Sequence, residues 1–161
     1  MLVFKILFIL GFILLFSYIG YITWKDKKIP FSISQTVHSL DEKNKWLFSL
    51  IMFFVGMLIA PQLFIMMQPF DYEILSFMTV LGLFGVGADP LDDDEKDIIH
   101  YVSAVLMGVA SQMIVWLTIP WLMILWLPYV LYTMYMDDGR WNMMFSEMVM
   151  MIALLICGLK L

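Results

Sequence analysis

The feature that most constrains this chain is its longest uncharged segment, which runs from Ile98 to Met136. Those 39 residues contain no Asp, Glu, Lys or Arg. A helix rises about 1.5 Å per residue, and the hydrocarbon core of a bilayer is about 30 Å thick. The segment is nearly twice as long as one crossing requires, so it predicts two membrane helices. Because the residue before a proline disfavours the helical region, we expect the break at Thr118-Ile119-Pro120.

Four further apolar segments have the length or composition of membrane helices: Leu2–Trp24, Trp46–Met67, Ile74–Ala88 and Trp141–Leu159. Pro61 is expected to kink the second or end it locally. The sequence therefore predicts an all-α integral membrane protein, a bundle of about six transmembrane helices. Merging the last pair, or a re-entrant third segment, would give five. Residues 1–161 are expected to form a single polytopic membrane domain.

Composition excludes several classes of protein. The chain is 63% hydrophobic and 14% charged, whereas soluble domains are about 45–50% apolar and about 25% charged. A soluble enzyme and a disordered tail are therefore excluded. The net charge of −5 further disfavours a nucleic-acid partner. The lipid bilayer is the predicted environment.

The positions of the basic residues predict an orientation. Seven of the nine lie in alternate loops of the six-helix arrangement: Lys25, Lys27, Lys28, Lys43, Lys45, Lys96 and Arg140. The positive-inside rule places those loops in the cytoplasm and both termini on the extracytoplasmic side. The first apolar segment exceeds the usual length of a signal-peptide core, so we expect it to be retained as an anchor. A bacterial inner membrane is the predicted location.

Three glycines lie close together in the third apolar segment, at Gly82, Gly85 and Gly87. Small residues on a membrane helix allow neighbouring backbones to approach closely. This spacing predicts a helix-packing face rather than a phosphate-binding loop.

A set of polar residues falls at or near the predicted cytoplasmic helix ends and supplies the candidate site residues: Ser34, His38, Asp89, His100 and Glu147. Glu147 lies about two turns inside the last helix, where an ionisable group is costly and suggests a function. Zinc binds His nitrogen and carboxylate oxygen, so His38, His100 and Glu147 are candidate metal ligands. A zinc-bound water could act as a hydrolytic nucleophile.

Structural roles can also explain the polar residues in these segments. Asp92-x-x-Glu95 before an apolar run has the spacing of a helix-capping signature. His100 is one turn inside the fourth helix and fits an interfacial histidine. Ser34 and His38 would share a face if their loop is helical. Glu147 can also pair with a neighbouring helix or extend towards the interface.

Two stretches resemble DRAM-like membrane proteins and their bacterial uncharacterised relatives. The first is Ile29-Pro30-Phe31-Ser32-Ile33-Ser34-Gln35 followed by Lys45-Trp46-Leu47-Phe48, and the second is Gly85-x-Gly87-Ala88-Asp89-Pro90 with Asp94 and His100. Those families are distantly similar to the alkaline ceramidase and adiponectin-receptor superfamily, which implies metal-dependent amide hydrolysis. Ser34-x-x-x-His38 is similar in spacing to a serine and histidine of that site. The chain departs from the superfamily in lacking its paired His-x-x-x-His.

Taken together, the residues favour a small multi-spanning membrane protein without an established catalytic role, acting as an accessory, scaffold or sensor and carrying no cofactor. The enzyme alternative is a metal-dependent lipid or amide hydrolase with a cytoplasmic-side zinc site. A second alternative is a small carrier or channel lined by Gln62, Gln112 and Glu147. A membrane-protein partner or a homo-oligomer is compatible with the favoured interpretation.

Overall fold

The computed structural model describes residues 1–88, 98–135 and 143–160, and these fold as helices joined by short turns. The α-helices are α1 (Leu2–Asp26), α2 (Trp46–Met67), α3 (Glu73–Ala88), α4 (Ile98–Thr118), α5 (Trp126–Tyr135) and α6 (Met143–Lys160). Short 3₁₀ segments occupy Ser34–Ser39, Glu42–Asn44, Gln68–Phe70 and Pro120–Leu125. No strand occurs in these three ranges, so the predicted all-α class is confirmed.

Four helical segments of the described chain are long and apolar enough to cross a membrane. They are Leu2–Asp26, Glu42–Phe70, Ile98–Thr118 and Met143–Lys160, and the second of these includes the 3₁₀ turns that flank α2. Helix α3 is apolar but has 16 residues, and α5 has 10. The predicted count of about six transmembrane helices is therefore not confirmed. Helix α5 is preceded by the 3₁₀ segment Pro120–Leu125, and the residues that follow Tyr135 lie outside the described ranges.

The two prolines singled out in the sequence behave differently. Helix α4 ends at Thr118, Ile119 has φ −144° and ψ 76°, and a 3₁₀ segment begins at Pro120. The predicted break is thus confirmed at the expected residues. Pro61, by contrast, lies inside α2, which continues as helix to Met67. Pro61 therefore does not end the helix.

Helices α1 to α4 pack as successive neighbours, and α6 closes the bundle by packing against α4 and α1. Side chains from every one of these helices contribute to one hydrophobic core. Phe8, Leu15, Met52 and Leu63 are fully buried within it. Helix α5 contacts α6 and the preceding 3₁₀ segment but buries none of its residues fully.

The glycine-rich face of α3 makes the close helix contacts expected of it. A Cβ atom added at Gly82 would lie 2.6 Å from the carbonyl oxygen of Ser103 in α4. One added at Gly87 would lie 2.6 Å from Cβ of Met52 in α2. Both separations are below van der Waals contact, so glycine is required where α3 packs between α2 and α4.

Candidate functional site

The segment between α1 and α2, residues 27–45 (the connector), folds back onto the end of α1. Thr36 Oγ1 lies 2.9 Å from the Tyr18 hydroxyl oxygen and 2.5 Å from the Ile33 carbonyl oxygen, and its side chain is fully buried. Lys25 Nζ donates to the carbonyl oxygen of Ser39 at 2.6 Å. The Ser39 hydroxyl donates to the Asp26 carboxylate. These bonds hold the connector against the last turns of α1.

The connector is also bonded to the beginning of α6. The backbone N–H of Met144 donates to the carbonyl oxygen of Phe31 at 2.6 Å. The backbone N–H of Ile33 donates to Glu147 Oε2, also at 2.6 Å. We call this pair of hydrogen bonds the connector–α6 contact. The first bond gives the Met144 N–H a partner, which it lacks within α6 because the first N–H groups of a helix have no acceptor inside the helix. The second gives the Glu147 side chain a hydrogen-bond donor.

A small cavity lies beside this contact; most of its lining is apolar, and three polar side chains from different parts of the chain also line it. Ser34 belongs to the connector, His100 to α4 and Glu147 to α6. The His100 side chain is 2% exposed. The cavity measures about 20 Å³, which is room for about one water molecule. We call it the polar cavity.

Three of the five candidate residues named from the sequence, Ser34, His100 and Glu147, lie together at the polar cavity, and a fourth, His38, does not. His38 is exposed and lines a separate open cleft at the end of α1. In a 3₁₀ helix, residues three apart eclipse one another, so residues four apart lie on different sides. Ser34 is accordingly buried while His38 points away from it. Asp89 lies outside the described residues, as do Asp92 and the rest of its acidic run.

The candidate zinc ligands are divided in the same way. His100 and Glu147 line the polar cavity, whereas His38 lines the cleft. Within the three described ranges, no group of three or more His, Cys, Asp or Glu side chains could hold a metal ion. The residues described do not form the ligand set proposed from sequence, and zinc binding stays a prediction.

The glutamines expected to line a transport path make helix contacts. Gln62 Nε2 donates to the Gly158 carbonyl oxygen at 3.1 Å, which joins α2 to α6. Gln112 Oε1 accepts from Trp126 Nε1 at 2.8 Å, which joins α4 to the start of α5. Neither lines the polar cavity beside Glu147.

Sequence reasoning identified Glu147 but missed its partner. The atoms that contact α6 are the Ile33 N–H and the Phe31 carbonyl oxygen. Backbone groups occur at every residue, so no sequence pattern distinguishes these two. The Pro30 before them does indicate an extended or turn conformation, which is the nearest available signal.

Comparisons with protein-family models, with curated proteins and with solved structures found no match. The resemblance to DRAM-like proteins stays a prediction based on the residues quoted above.

Proposed function

We propose that the protein is a non-catalytic membrane protein with an accessory or sensing role, in which the connector is the responsive element. The observation that carries this proposal is the hydrogen bond between the Ile33 N–H and Glu147 Oε2. Through this bond, the Glu147 side chain of α6 joins the connector to the helix bundle. We further propose six membrane segments, both termini on the extracytoplasmic side, and a bacterial inner membrane as the location.

The energetics of a membrane interior support this role for Glu147. A charged side chain at a helix centre in the bilayer costs about 2.5–3.5 kcal/mol on insertion scales. Hydrogen bonds to charged groups are worth about 1.5–3 kcal/mol. Glu147 lies about one turn inside α6, where the cost is smaller than at the bilayer centre. The bond from the Ile33 N–H offsets part of that cost, and its loss would destabilise the connector.

The size of the polar cavity disfavours hydrolysis of a lipid or amide at that cavity. Its volume of about 20 Å³ is far below the roughly 300–1,000 Å³ of typical small-molecule sites. A water molecule fits beside Ser34, His100 and Glu147, but a lipid or amide substrate does not. A sensor acts through another protein, so we propose a membrane-protein partner or a second copy of this chain.

The test compares Glu147→Ala with Glu147→Gln in protein reconstituted into lipid nanodiscs. Alanine removes the acceptor oxygen, whereas glutamine retains one of similar geometry. We expect the amide of Ile33 and its neighbours to exchange hydrogen faster in Glu147→Ala, by about tenfold or more, as expected from loss of one charged hydrogen bond. Glu147→Gln should change exchange much less. Unchanged exchange at Ile33 in folded Glu147→Ala protein would refute the proposal.

The hydrolase alternative is favoured by one observation, the convergence of Ser34, His100 and Glu147 on one cavity. Metal analysis of purified protein distinguishes it. A stoichiometric zinc ion that is lost in His100→Ala and in Glu147→Gln would contradict the non-catalytic proposal. Zinc content that is substoichiometric and equal in all three proteins would support it.

A further inference from the structure

An open cleft at the end of α1 has charged groups in its wall. It is lined by Asp26, Lys28, Ile29, Pro30, Phe31, Gln35, His38 and Ser39, and measures about 630 Å³. This volume lies within the usual range for small-molecule sites. The cleft is separate from the polar cavity, which has Ser34, His100 and Glu147 in its wall.

The cleft presents groups of both charge signs. Lys28 is exposed and, within the described residues, makes no hydrogen bond or ion pair. The neighbouring ammonium of Lys25 is instead bonded to the Ser39 carbonyl oxygen. The carboxylate of Asp26 accepts one hydrogen bond, from the Ser39 hydroxyl, and a carboxylate has several acceptor sites. A ligand carrying an anion and a primary amine would therefore match Lys28 and Asp26 together.

The position of the cleft indicates where such a ligand comes from. The cleft lies where α1 ends and the connector begins. Helix α1 is long enough to cross the membrane. Its rim carries Ile29 and Phe31, which are 57% and 40% exposed. Apolar side chains beside charged groups at the end of a membrane helix suit a molecule that is itself part apolar and part charged.

The local charge supports binding of a phosphate group. Residues 25–45 contain five lysines and three acidic residues, although the whole chain has a net charge of −5. Basic residues next to a membrane helix attract the negative charge of lipid headgroups, which in a zwitterionic lipid is carried by the phosphate. This part of the chain is thus basic in an otherwise acidic protein, and Lys28 is the lysine that it contributes to the wall of the cleft.

We propose that the cleft binds the headgroup of an amine-bearing phospholipid, of the phosphatidylethanolamine type. Lys28 contacts the phosphate, Asp26 accepts a hydrogen bond from the ammonium group, and the acyl chains lie beside Ile29 and Phe31 along α1. This binding does not depend on the function proposed for Glu147.

The test measures lipid binding by native mass spectrometry of delipidated protein in detergent. The probes are phosphatidylethanolamine, phosphatidylcholine and phosphatidylglycerol with identical acyl chains. We expect the protein to bind phosphatidylethanolamine about fivefold more tightly than the other two, the effect of roughly one ion pair. Phosphatidylcholine has no N–H to donate, and phosphatidylglycerol has no amine.

Two substitutions test the phosphate contact and the ammonium contact separately. Lys28→Gln should weaken binding of all three lipids because it removes the phosphate contact. Asp26→Asn keeps an acceptor for the Ser39 hydroxyl but removes the negative charge, so it should abolish the preference for phosphatidylethanolamine alone. Lys160→Gln, which removes the same charge at the end of α6, is the control and should leave binding unchanged.

Several results would overturn the proposal. Equal binding of the three lipids by the unmodified protein would show that the cleft makes no contact with the amine. Equal effects of Lys28→Gln and Lys160→Gln would show general electrostatic attraction instead of a site. Displacement of the lipid by millimolar inorganic phosphate would indicate a site for free phosphate.

Discussion

At the scale of single residues, several buried polar side chains of the membrane helices bond to backbone carbonyl oxygens. Ser76 Oγ donates to Leu63 at 2.8 Å, joining α3 to α2, and Gln62 Nε2 joins α2 to α6. Thr79 Oγ1 donates to Leu75 within its own helix at 2.8 Å. Polar groups without partners are costly in hydrocarbon. These residues therefore stabilise helices and helix contacts.

Glycine at position 82 is expected to be essential for packing α3 against α4. In Gly82→Ala, the new Cβ would lie 2.6 Å from a backbone oxygen and 2.7 Å from the Met107 backbone nitrogen. Neither atom can rotate away, so the helices must separate. We expect a loss of about 1–3 kcal/mol in the free energy of unfolding, as in other overpacked interiors. Thermal unfolding in detergent measures it.

Gly20→Ala is the matched control for that substitution. An added Cβ at Gly20 meets nothing within 4 Å, and alanine is the better helix former. Its unfolding temperature should equal or slightly exceed that of the unmodified protein. If Gly82→Ala and Gly20→Ala behave alike, the close packing of α3 on α4 is wrong.

At the scale of elements, α5 is the helix least supported by the bundle. None of its residues is fully buried, and Met134 and Tyr135 are 80% and 92% exposed. Its first residue is Trp126, whose ring N–H donates to Gln112. Within the described part of the chain, it is the one side-chain hydrogen bond between α5 and α4. The position of α5 should therefore depend on it.

Trp126→Phe tests that dependence because it keeps an aromatic ring and removes the donor. We expect a loss of about 0.6–2 kcal/mol, the range for hydrogen bonds between membrane helices. Faster amide hydrogen exchange should appear in α5 and not in α1. Trp121→Phe, at a ring that is 67% exposed, should change neither quantity. An unaltered α5 in folded Trp126→Phe protein would show that other contacts hold the helix.

Elements were predictable from sequence to the extent that local chemistry determines them. Uncharged runs located the helices, Pro120 located the end of α4, and clustered glycines located a packing face. Residue types did not reveal that the Ser34–His38 loop is 3₁₀, which separates those two side chains. Nor could they pair Ile33 with Glu147, because a contact between residues 114 positions apart depends on how the whole bundle packs.

At the scale of the whole molecule, the distribution of lysine and arginine predicts how the bundle is oriented. In a Cys157→Ala background, Lys27→Cys and Tyr72→Cys place single thiols in successive loops. We expect an impermeant reagent added to intact cells to label position 72 and spare position 27. After the cells are opened, both should react. Labelling of position 27 in intact cells would reverse the orientation.

The connector–α6 contact also has a consequence for the order in which the molecule is assembled. Residues near position 33 leave the ribosome long before Met144 and Glu147 do. Until then the Phe31 carbonyl and the Ile33 N–H lack the partners that they have in the finished structure. In a nascent chain that ends before residue 143, the connector must adopt another conformation, or these two backbone groups must bond to water. Helix α6 thus fixes a loop that precedes it by more than a hundred residues, since Ile33 and Glu147 are 114 positions apart.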